Sequence, residues 1–381
     1  MGYSDFFNRE DVYMIIKDTI SSHYNTKVSI INSMDKINSE NLYFCLPKLN
    51  IIYRSTFSKS ITKKFLISNM IGNQNSITKF LIRLYISVSL SFPGIFSDKF
   101  IYIEHNNNID IIYPGNKKLK ILDFSNQKII NILKNRFSNE WFMNEIYFRI
   151  NSNFNFVLNI DEYGESYYIE KILIGKPLAR LKNTQNEKIL IEINNYMDML
   201  ADNKKTINFI EYAKKLSLDI IGIFEAINGQ SRNNQFYLDN VYRLHMLILE
   251  RLCLLNSNYT LNIQTTHGDL QKGNVFIDEN GKIYILDWET VGIRFDKYDK
   301  FIFKYSFRNS YNLVSNLRRY INKEGMSQNS LIDLYVFLLE DLKWYLQEST
   351  QLLKGSISIG VQNYGKPELY KFIDNLESAE V

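Results

Sequence analysis

The chain of 381 residues contains only two cysteines, Cys45 and Cys253, and they lie far apart in the sequence. Neither belongs to a Cys-x-x-Cys pair or to the histidine spacing of a zinc site, so the sequence predicts no zinc and indicates a reducing compartment. The chain also has only a small excess of charge of one sign, since 45 Lys and Arg residues against 41 Asp and Glu residues leave a net charge of +4. So mild a charge indicates no nucleic-acid partner.

The sequence also lacks the apolar segments that signal peptides and membrane spans require. Residues 1–10 are polar and contain neither a cationic nor an apolar region of a signal peptide. The most apolar window, residues 80–96, is interrupted by Arg83, several serines and Pro93, and falls short of the ~20 apolar residues of a span. We therefore predict a cytoplasmic protein with no transmembrane segment. A buried helix is the favoured interpretation of this window, and a peripheral membrane contact is the alternative.

The length is sufficient for about two domains with sizeable cores. Residues 1–95 contain helical patches but match no motif, and we predict an N-terminal extension of unknown role. From Lys99 the pattern changes to short alternating strands separated by turn residues, and a helix at residues 139–150 follows them. The predicted strands are residues 100–104, 109–113, 118–124 and 128–133.

The strongest chemical signal is the segment at residues 266–289, which begins with Thr-His-Gly-Asp-Leu-Gln-Lys-Gly-Asn. Asn274 follows Asp269 by five residues, and Asp287 ends an alternating strand eighteen residues after Asp269. Phosphoryl transfer requires one carboxylate to orient and deprotonate the acceptor hydroxyl, and an amide oxygen with a second carboxylate to hold Mg²⁺. These three residues can supply all three parts. The alternative is a plain hairpin in which Asp269 and Asp278 are turn residues and His267 is a core histidine.

The motif resembles the His-Gly-Asp-x-x-x-x-Asn and Asp-Trp-Glu pair of the aminoglycoside phosphotransferase and choline kinase family. Here Gly268 replaces the Arg of protein kinases, and Gln271 stands where protein kinases usually carry a lysine. The resemblance implies an α+β, two-lobed protein-kinase-like fold with a small β-rich N-lobe and a mainly helical C-lobe. It places the N-lobe and hinge at residues 96–175 and the C-lobe, with its catalytic and metal loops, at residues 176–381.

The resemblance also implies a lysine that binds the nucleotide phosphates and a glutamate that holds this lysine in place. We assign the phosphate-covering loop to residues 114–117 and the lysine to Lys134, at the end of the third strand. Glu145, on the following helix, is its expected partner. Lys120 is the competing candidate for the lysine.

The segment at residues 168–178 resembles the hinge strand of the same family, and backbone groups around Glu170 to Ile172 are then expected to bind the adenine edge. Read alone, the segment is equally well an ordinary edge strand. Helical patterns at residues 187–200, 207–226, 237–256 and 330–348 predict the C-lobe. Asp299, which follows the motif, is expected to cap a helix or brace a loop.

The sequence therefore predicts a kinase that transfers the γ-phosphate of ATP, with Mg²⁺, to an alcohol of a small molecule. Asp269 is the expected catalytic base, and Asn274 and Asp287 are the expected metal ligands. A sugar or an amino alcohol is the expected acceptor, with a slight preference for a saccharide hydroxyl. A protein kinase and a nucleotide-binding pseudokinase scaffold are the alternatives. Gln271 disfavours the first, and the intact set of Asp269, Asn274 and Asp287 disfavours the second.

Overall fold

The structure is a computed structural model that describes most of the chain. The described residues are 12–32, 39–71, 74–105, 108–115, 117–135, 137–181, 186–228, 234–255, 258–308, 310–350 and 357–376. The predicted polar N-terminus at residues 1–10 and Asn116 of the predicted phosphate-covering loop lie outside these ranges. The chain divides into two compact units, of which unit 1 contains residues 1–186 and 273–289, and unit 2 contains residues 187–272 and 290–381.

The strands are β1 (Val28–Ile31), β2 (Leu42–Leu46), β3 (Ile51–Arg54), β4 (Phe100–Ile103), β5 (Ile111–Pro114), β6 (Lys118–Asp123), β7 (Lys128–Leu133), β8 (Glu162–Tyr163), β9 (Tyr167–Lys171), β10 (Gly175–Pro177), β11 (Lys205–Asn208), β12 (Thr260–Thr266), β13 (Val275–Asp278), β14 (Ile283–Ile285) and β15 (Gly292–Phe295). The helices are α1 (Val12–Tyr24), α2 (Lys59–Met70), α3 (Ser76–Ser91), α4 (Pro93–Phe96), α5 (Glu140–Asn151), α6 (Asn186–Met199), α7 (Phe209–Asn228), α8 (Gln235–Leu254), α9 (Tyr298–Tyr305), α10 (Leu313–Glu324), α11 (Gln328–Thr350), α12 (Ile359–Tyr364) and α13 (Pro367–Asp374).

Unit 1 is built on a nine-stranded antiparallel sheet with the order β1-β4-β2-β3-β5-β6-β7-β9-β8. Apolar residues alternate along its strands and therefore supply both faces. One face packs with α1 in a core that includes Ile16, Ile101 and Ile121. The other face packs with α2 and α3 in a core that includes Leu66, Ile86 and Leu122. Strands β10, β13 and β14 form a small second sheet in this unit.

The four strands predicted from residue 99 onward are confirmed as β4, β5, β6 and β7, and the helix that follows them is α5. Alternation and turn residues were sufficient to find them because each of these strands is short and is bounded by polar turns. Strand β5 pairs with β6, and β6 pairs with β7, each antiparallel. The loop after Pro114 and the N-terminal end of β6 therefore lie at one end of this meander.

The predicted division at residue 95 does not separate two units in the structure. Strands β1, β2 and β3 from the predicted extension hydrogen-bond within the same sheet as β4 and β5. The extension was misread because the pairings that join its strands to β4 and β5 are distant in sequence, and such pairing leaves no local pattern. Helices α1 to α3 and strands β1 to β3 therefore contribute to the cores of unit 1.

Unit 2 is mainly helical and surrounds α11, whose middle is buried on all sides. Helices α7, α8 and α12 pack against α11. A three-stranded antiparallel sheet with the order β11-β12-β15 completes the unit, and Thr266 at the end of β12 leads directly into the motif predicted to be catalytic. The predicted α+β class, with one β-rich part and one helical part, is confirmed.

The predicted C-lobe boundary at residue 176 needs a correction. Strands β10, β13 and β14 belong to unit 1, so the helical unit begins at residue 187 and excludes residues 273–289. Asp269 therefore belongs to unit 2, whereas Asn274 and Asp287 belong to unit 1. No helix within the described ranges is both long and apolar enough to cross a membrane.

A buried carboxyl on α11 makes the stability of unit 2 depend on pH. Glu340 accepts hydrogen bonds from the Tyr212 hydroxyl and, at 3.1 Å, from the Phe295 backbone nitrogen. Burial raises the pKa of Glu340 to about 7. The folded state binds a proton where the unfolded chain has released it, so this carboxyl destabilises the fold increasingly as the pH rises from about 4.5 to about 7.

We expect Glu340→Gln to raise the free energy of unfolding at pH 8 by on the order of 3 kcal/mol and to change it little at pH 4. Urea unfolding at both pH values measures this effect, and Glu211→Gln on the exposed side of α7 is the control. An equal change at both pH values would contradict the assignment.

Candidate functional site

A buried ion pair joins the start of β6 to α5. The Nζ of Lys118 donates to Glu145 Oε2 at 2.7 Å, and both side chains are almost completely buried. Burial alone would lower the pKa of Lys118, but the charge of Glu145 and of the other nearby acids outweighs burial and raises this pKa well above its usual range. Lys118 is therefore an ammonium at neutral pH, held on a strand that directly follows the loop at residues 114–117.

Neighbouring groups fix Glu145 from its other side. Glu145 Oε1 accepts from Arg149 at 3.3 Å and from the Tyr168 hydroxyl at 3.0 Å. Arg149 also donates to Glu170 at 2.6 Å. Because these bonds satisfy both oxygens of a buried carboxylate, Glu145 remains charged, and its pKa is lowered by Lys118 and Arg149 against the opposing effect of burial.

The predicted ion pair between Lys134 and Glu145 is wrong. The Nζ of Lys134 donates instead to the backbone oxygen of Gly115. Successive residues of a strand point to opposite faces, so Leu133 and Lys134 cannot both lie on the face that carries Lys118. The residue across from Lys118 in the β6–β7 register is Leu133. An apolar side chain thus takes this place on β7, and the lysine comes from the neighbouring strand.

The other candidate, Lys120, is also not the partner of Glu145. It lies two residues further along β6, opposite Asn131 and Tyr113, and is half-buried. Lys118 could have been considered from sequence because it opens the predicted second strand directly after the glycine loop. It was not considered because the lysine was expected on β7, the strand directly before α5, and Lys118 lies on β6.

The strand-end aspartate shares the same lysine. Asp287 Oδ1 lies 3.1 Å from Lys118 Nζ, within unit 1. The backbone at Asp287 is left-handed, with φ of 67°, so the chain turns sharply where the carboxylate leaves β14. Trp288 anchors this turn, since its ring stacks on Phe148 and its Nε1 donates to Ile285 O at 2.8 Å.

The residues around Asp287 suit a hard divalent cation. The backbone nitrogen of Leu286 donates to Asn274 O at 2.8 Å, which holds the backbone of Asn274 next to the residue that precedes Asp287. Carboxylate and amide oxygens are ligands that Mg²⁺ prefers, and it usually keeps waters and substrate phosphates as its remaining ligands. Within the described ranges, no group of three or more His, Cys, Asp or Glu side chains is arranged to hold a metal ion by itself.

The carboxylates of Glu145, Asp287 and Glu289 outnumber the one ammonium that they share, since all three lie within 3.6 Å of Lys118 Nζ. Glu289, which the sequence interpretation left out, lies 3.6 Å from Lys118 and 3.9 Å from Lys117. Burial and then the charge of Asp287 raise the pKa of Glu289. A bound cation would relieve the repulsion between these carboxylates. Their excess over the shared ammonium therefore fits a site for Mg²⁺.

The loop of Asp269, in unit 2, is fixed through its backbone. Asp299 accepts from the backbone nitrogens of His267 at 2.6 Å and Gly268 at 2.9 Å, which confirms the expected loop-bracing role. Gly268 has φ of 81°, and a Cβ there would lie 2.3 Å from Thr290 O. The glycine before Asp269, the predicted catalytic base, is thus required by both backbone conformation and space.

A buried arginine lies beside Asp269. Arg308, which follows α9, donates to Gly268 O at 3.0 Å, and its Nε lies 3.8 Å from Asp269 Oδ1. Its guanidinium stacks 3.5 Å from the centre of the Trp344 ring and also binds Asp341. Asp269 itself is partly exposed and accepts from Gln271 at 2.7 Å, so its carboxylate is held in place but open to a reactant.

The adenine-binding prediction concerns backbone groups around Glu170 to Ile172, and it stays a prediction. Glu170 lies in the β7–β9 ladder opposite Ile129, and its side chain is bound to Arg149 and Asn131. The backbone nitrogen of Ile172 donates to Gln127 O at 2.9 Å and is already used. The chain leaves the strand ladders between Ile172 and Gly175, and Leu173 lies at the centre of this short connection.

No protein-family model matches the chain, and no curated protein matches it. Among solved structures, an ethanolamine kinase of Plasmodium vivax is 18% identical with a TM-score of 0.47, covering 86% of this chain and 97% of that chain. A choline kinase of Streptococcus pneumoniae, LicA, is 13% identical with a TM-score of 0.44, covering 68% and 91%. A thermostable mutant of aminoglycoside phosphotransferase APH(4)-Ia, solved with ADP and hygromycin B, is 13% identical with a TM-score of 0.46, covering 69% and 92%.

These proteins include the enzyme groups that the motif at residues 266–289 resembles. At such identities and TM-scores, the likeness brings no substrate and no residue role to this chain.

We expect Lys118→Met to weaken the binding of Mg·ATP by roughly 10- to 100-fold, because a charged hydrogen bond to a phosphate contributes about 1.5–3 kcal/mol. Lys120→Met and Lys134→Met are the matched controls, and isothermal titration with ATP and Mg²⁺ measures all three. Circular dichroism must show that Lys118→Met remains folded, since removing one partner of a buried ion pair also destabilises a fold. A folded Lys118→Met variant that binds as tightly as the native chain would refute this role.

Proposed function

We propose that this protein is a kinase that transfers the γ-phosphoryl group of ATP to a hydroxyl of a small molecule. The observation that carries the proposal is the contact of one buried ammonium, Lys118, with both Glu145 and Asp287. A phosphate-binding lysine, a helix glutamate and a metal-binding aspartate are the parts that organise a nucleotide for phosphoryl transfer. Their side chains meet within unit 1, although Asp287 follows Lys118 by 169 residues.

Asp269 would orient the acceptor hydroxyl and receive its proton. The acceptor oxygen forms a bond to the γ-phosphorus, the bond from that phosphorus to the bridging oxygen breaks, and ADP leaves with the bonding electrons. The anchored backbone at Gly268 and the bond from Gln271 hold the carboxylate, so little reorganisation is needed. No covalent enzyme intermediate is required.

Asn274 and Asp287 would hold Mg²⁺, with Glu289 as a further nearby carboxylate. When bound, the ion would neutralise phosphate charge, which is the chemistry this excess of carboxylates suits. For the adenine, we propose the connection around Leu173 in place of Glu170 and Ile172. Lys134 would then shape the phosphate-covering loop through Gly115 rather than contact the phosphates.

A neutral acceptor such as a sugar is favoured over a cationic one. Arg308 places a positive charge 3.8 Å from Asp269, near where the acceptor hydroxyl must approach. One face of the Trp344 ring, of the kind that binds quaternary ammonium groups, is already occupied by this guanidinium. Both features disfavour choline-like acceptors and aminoglycosides, which are cations.

Two alternative functions, a protein kinase and a pseudokinase scaffold, are disfavoured. A protein kinase is disfavoured by Gln271, whose side chain binds Asp269 at the position where protein kinases usually carry a lysine. A pseudokinase scaffold is disfavoured because the acidic and amide residues of the motif are all present. The cytoplasmic location stays a prediction.

We expect ADP release to depend on an added sugar when the protein is incubated with Mg·ATP and a panel of monosaccharides, ethanolamine, choline and aminoglycosides. A coupled assay for ADP measures the turnover with each acceptor. Asp269→Asn should lower this turnover by about 10²–10⁴-fold and leave ATP affinity within about twofold, because the carboxylate serves the acceptor. Glu279→Gln, an exposed acid on the turn after β13, is the control.

Turnover by Asp269→Asn close to that of the native chain would sink the proposed reaction. Turnover that occurs with choline or an aminoglycoside but with no sugar would contradict only the acceptor class. The two failures are therefore distinguishable.

We expect Asp287→Ala to raise the Mg²⁺ concentration needed for half-maximal ATP binding, since it removes a carboxylate ligand. A titration with Mg²⁺ at fixed ATP measures the change, and Glu279→Ala is the control. An unchanged Mg²⁺ dependence would show that Asp287 acts only as a structural partner of Lys118.

A further inference from the structure

An exposed apolar surface covers one side of α3 and continues into α4. It consists of Ile77, Phe80, Leu81, Leu84, Phe92 and Ile95, and we call it the α3 patch. Each of these side chains is between 48% and 79% exposed. The first four follow the i, i+3, i+4, i+7 spacing of one helix face. The opposite face, with Ile86 and Leu90, is buried against the large sheet.

The α3 patch is not needed for the fold. Helix α3 already buries one apolar face in the core, and its second apolar face contributes nothing to that core. Single exposed apolar residues are common on protein surfaces, but a contiguous group of large ones marks an interaction site. The predicted buried helix at residues 80–96 is thus only half correct, because this helix is apolar on two sides and buried on one.

The charge around the α3 patch is of one sign. The segment at residues 59–96 contains Lys59, Lys63, Lys64, Lys79 and Arg83 and no aspartate or glutamate. Helices α2 and α3 pack against each other, so the basic residues of both helices belong to the same part of unit 1. A partner of this surface must therefore accept apolar side chains and carry negative charge.

We propose that the α3 patch binds the surface of an anionic lipid bilayer. Phenylalanine, leucine and isoleucine side chains would enter the boundary between headgroups and acyl chains, and the lysines and Arg83 would contact the anionic headgroups. Each basic residue near such a surface contributes roughly a fivefold gain in binding. The helix lies flat on the bilayer and does not cross it. This inference is independent of the proposed kinase activity.

The test is co-sedimentation of the full-length protein with vesicles of phosphatidylcholine alone and with an equal mixture of phosphatidylcholine and phosphatidylglycerol. We expect binding to the mixed vesicles, weakened by salt and much lower with phosphatidylcholine alone. The double variant Phe80→Glu/Leu84→Glu should bind at least about tenfold more weakly, because two apolar side chains can no longer enter the bilayer. Leu218→Glu/Leu254→Glu is the matched control, since these leucines of α7 and α8 are at least as exposed as Phe80 and Leu84.

Both double variants should keep the melting temperature of the native chain, because the substituted side chains are exposed. Binding by Phe80→Glu/Leu84→Glu that equals native binding would overturn the proposal, and so would an equal loss in the control. A native dimer that this variant converts to a monomer, with no vesicle binding by either, would also overturn it and would assign the α3 patch to self-association.

Discussion

The ion pair between Lys118 and Glu145 is the interaction on which the candidate site depends. Two buried charges are stable together only when their remaining hydrogen-bonding groups are satisfied, and either charge left alone would be strongly unfavourable. Arg149 and Tyr168 complete the shell of Glu145, and Arg149 in turn binds Glu170 on β9. The position of the ammonium beside Asp287 thus follows from a network that spans a helix and two strands.

This arrangement places the lysine on the strand that follows the glycine loop. Leu133 stands across from it on β7, where an apolar side chain packs with Tyr168 in the core under α5. A lysine on β6 serves as well as one on β7, because Lys118 reaches Glu145 at an ordinary hydrogen-bond distance. In unit 2 the loop of Asp269 is held through its backbone, since Gly268 donates to Asp299 and accepts from Arg308.

Local patterns predicted what is local and missed what is not. Strands β4 to β7, α5 and the motif at residues 266–289 follow from alternation, turn residues and fixed spacing. The lysine was missed because it lies on β6, whereas the residue across from it on β7, the strand before α5, is Leu133. Arg308 was missed because no periodicity relates it to Asp269. The place of β1, β2 and β3 in the sheet was missed because β4 and β5, with which they pair, follow α2 and α3 in the chain.

The most direct test of the central claim is a crystal structure of the protein with Mg²⁺ and a non-hydrolysable ATP analogue. The account predicts that Lys118 Nζ lies within about 3.2 Å of a phosphate oxygen and keeps its bond to Glu145. It also predicts that Asp287 and Asn274 share the Mg²⁺ ion. A complex in which Lys134 or Lys120 contacts the phosphates, while Lys118 contacts only protein, would contradict it.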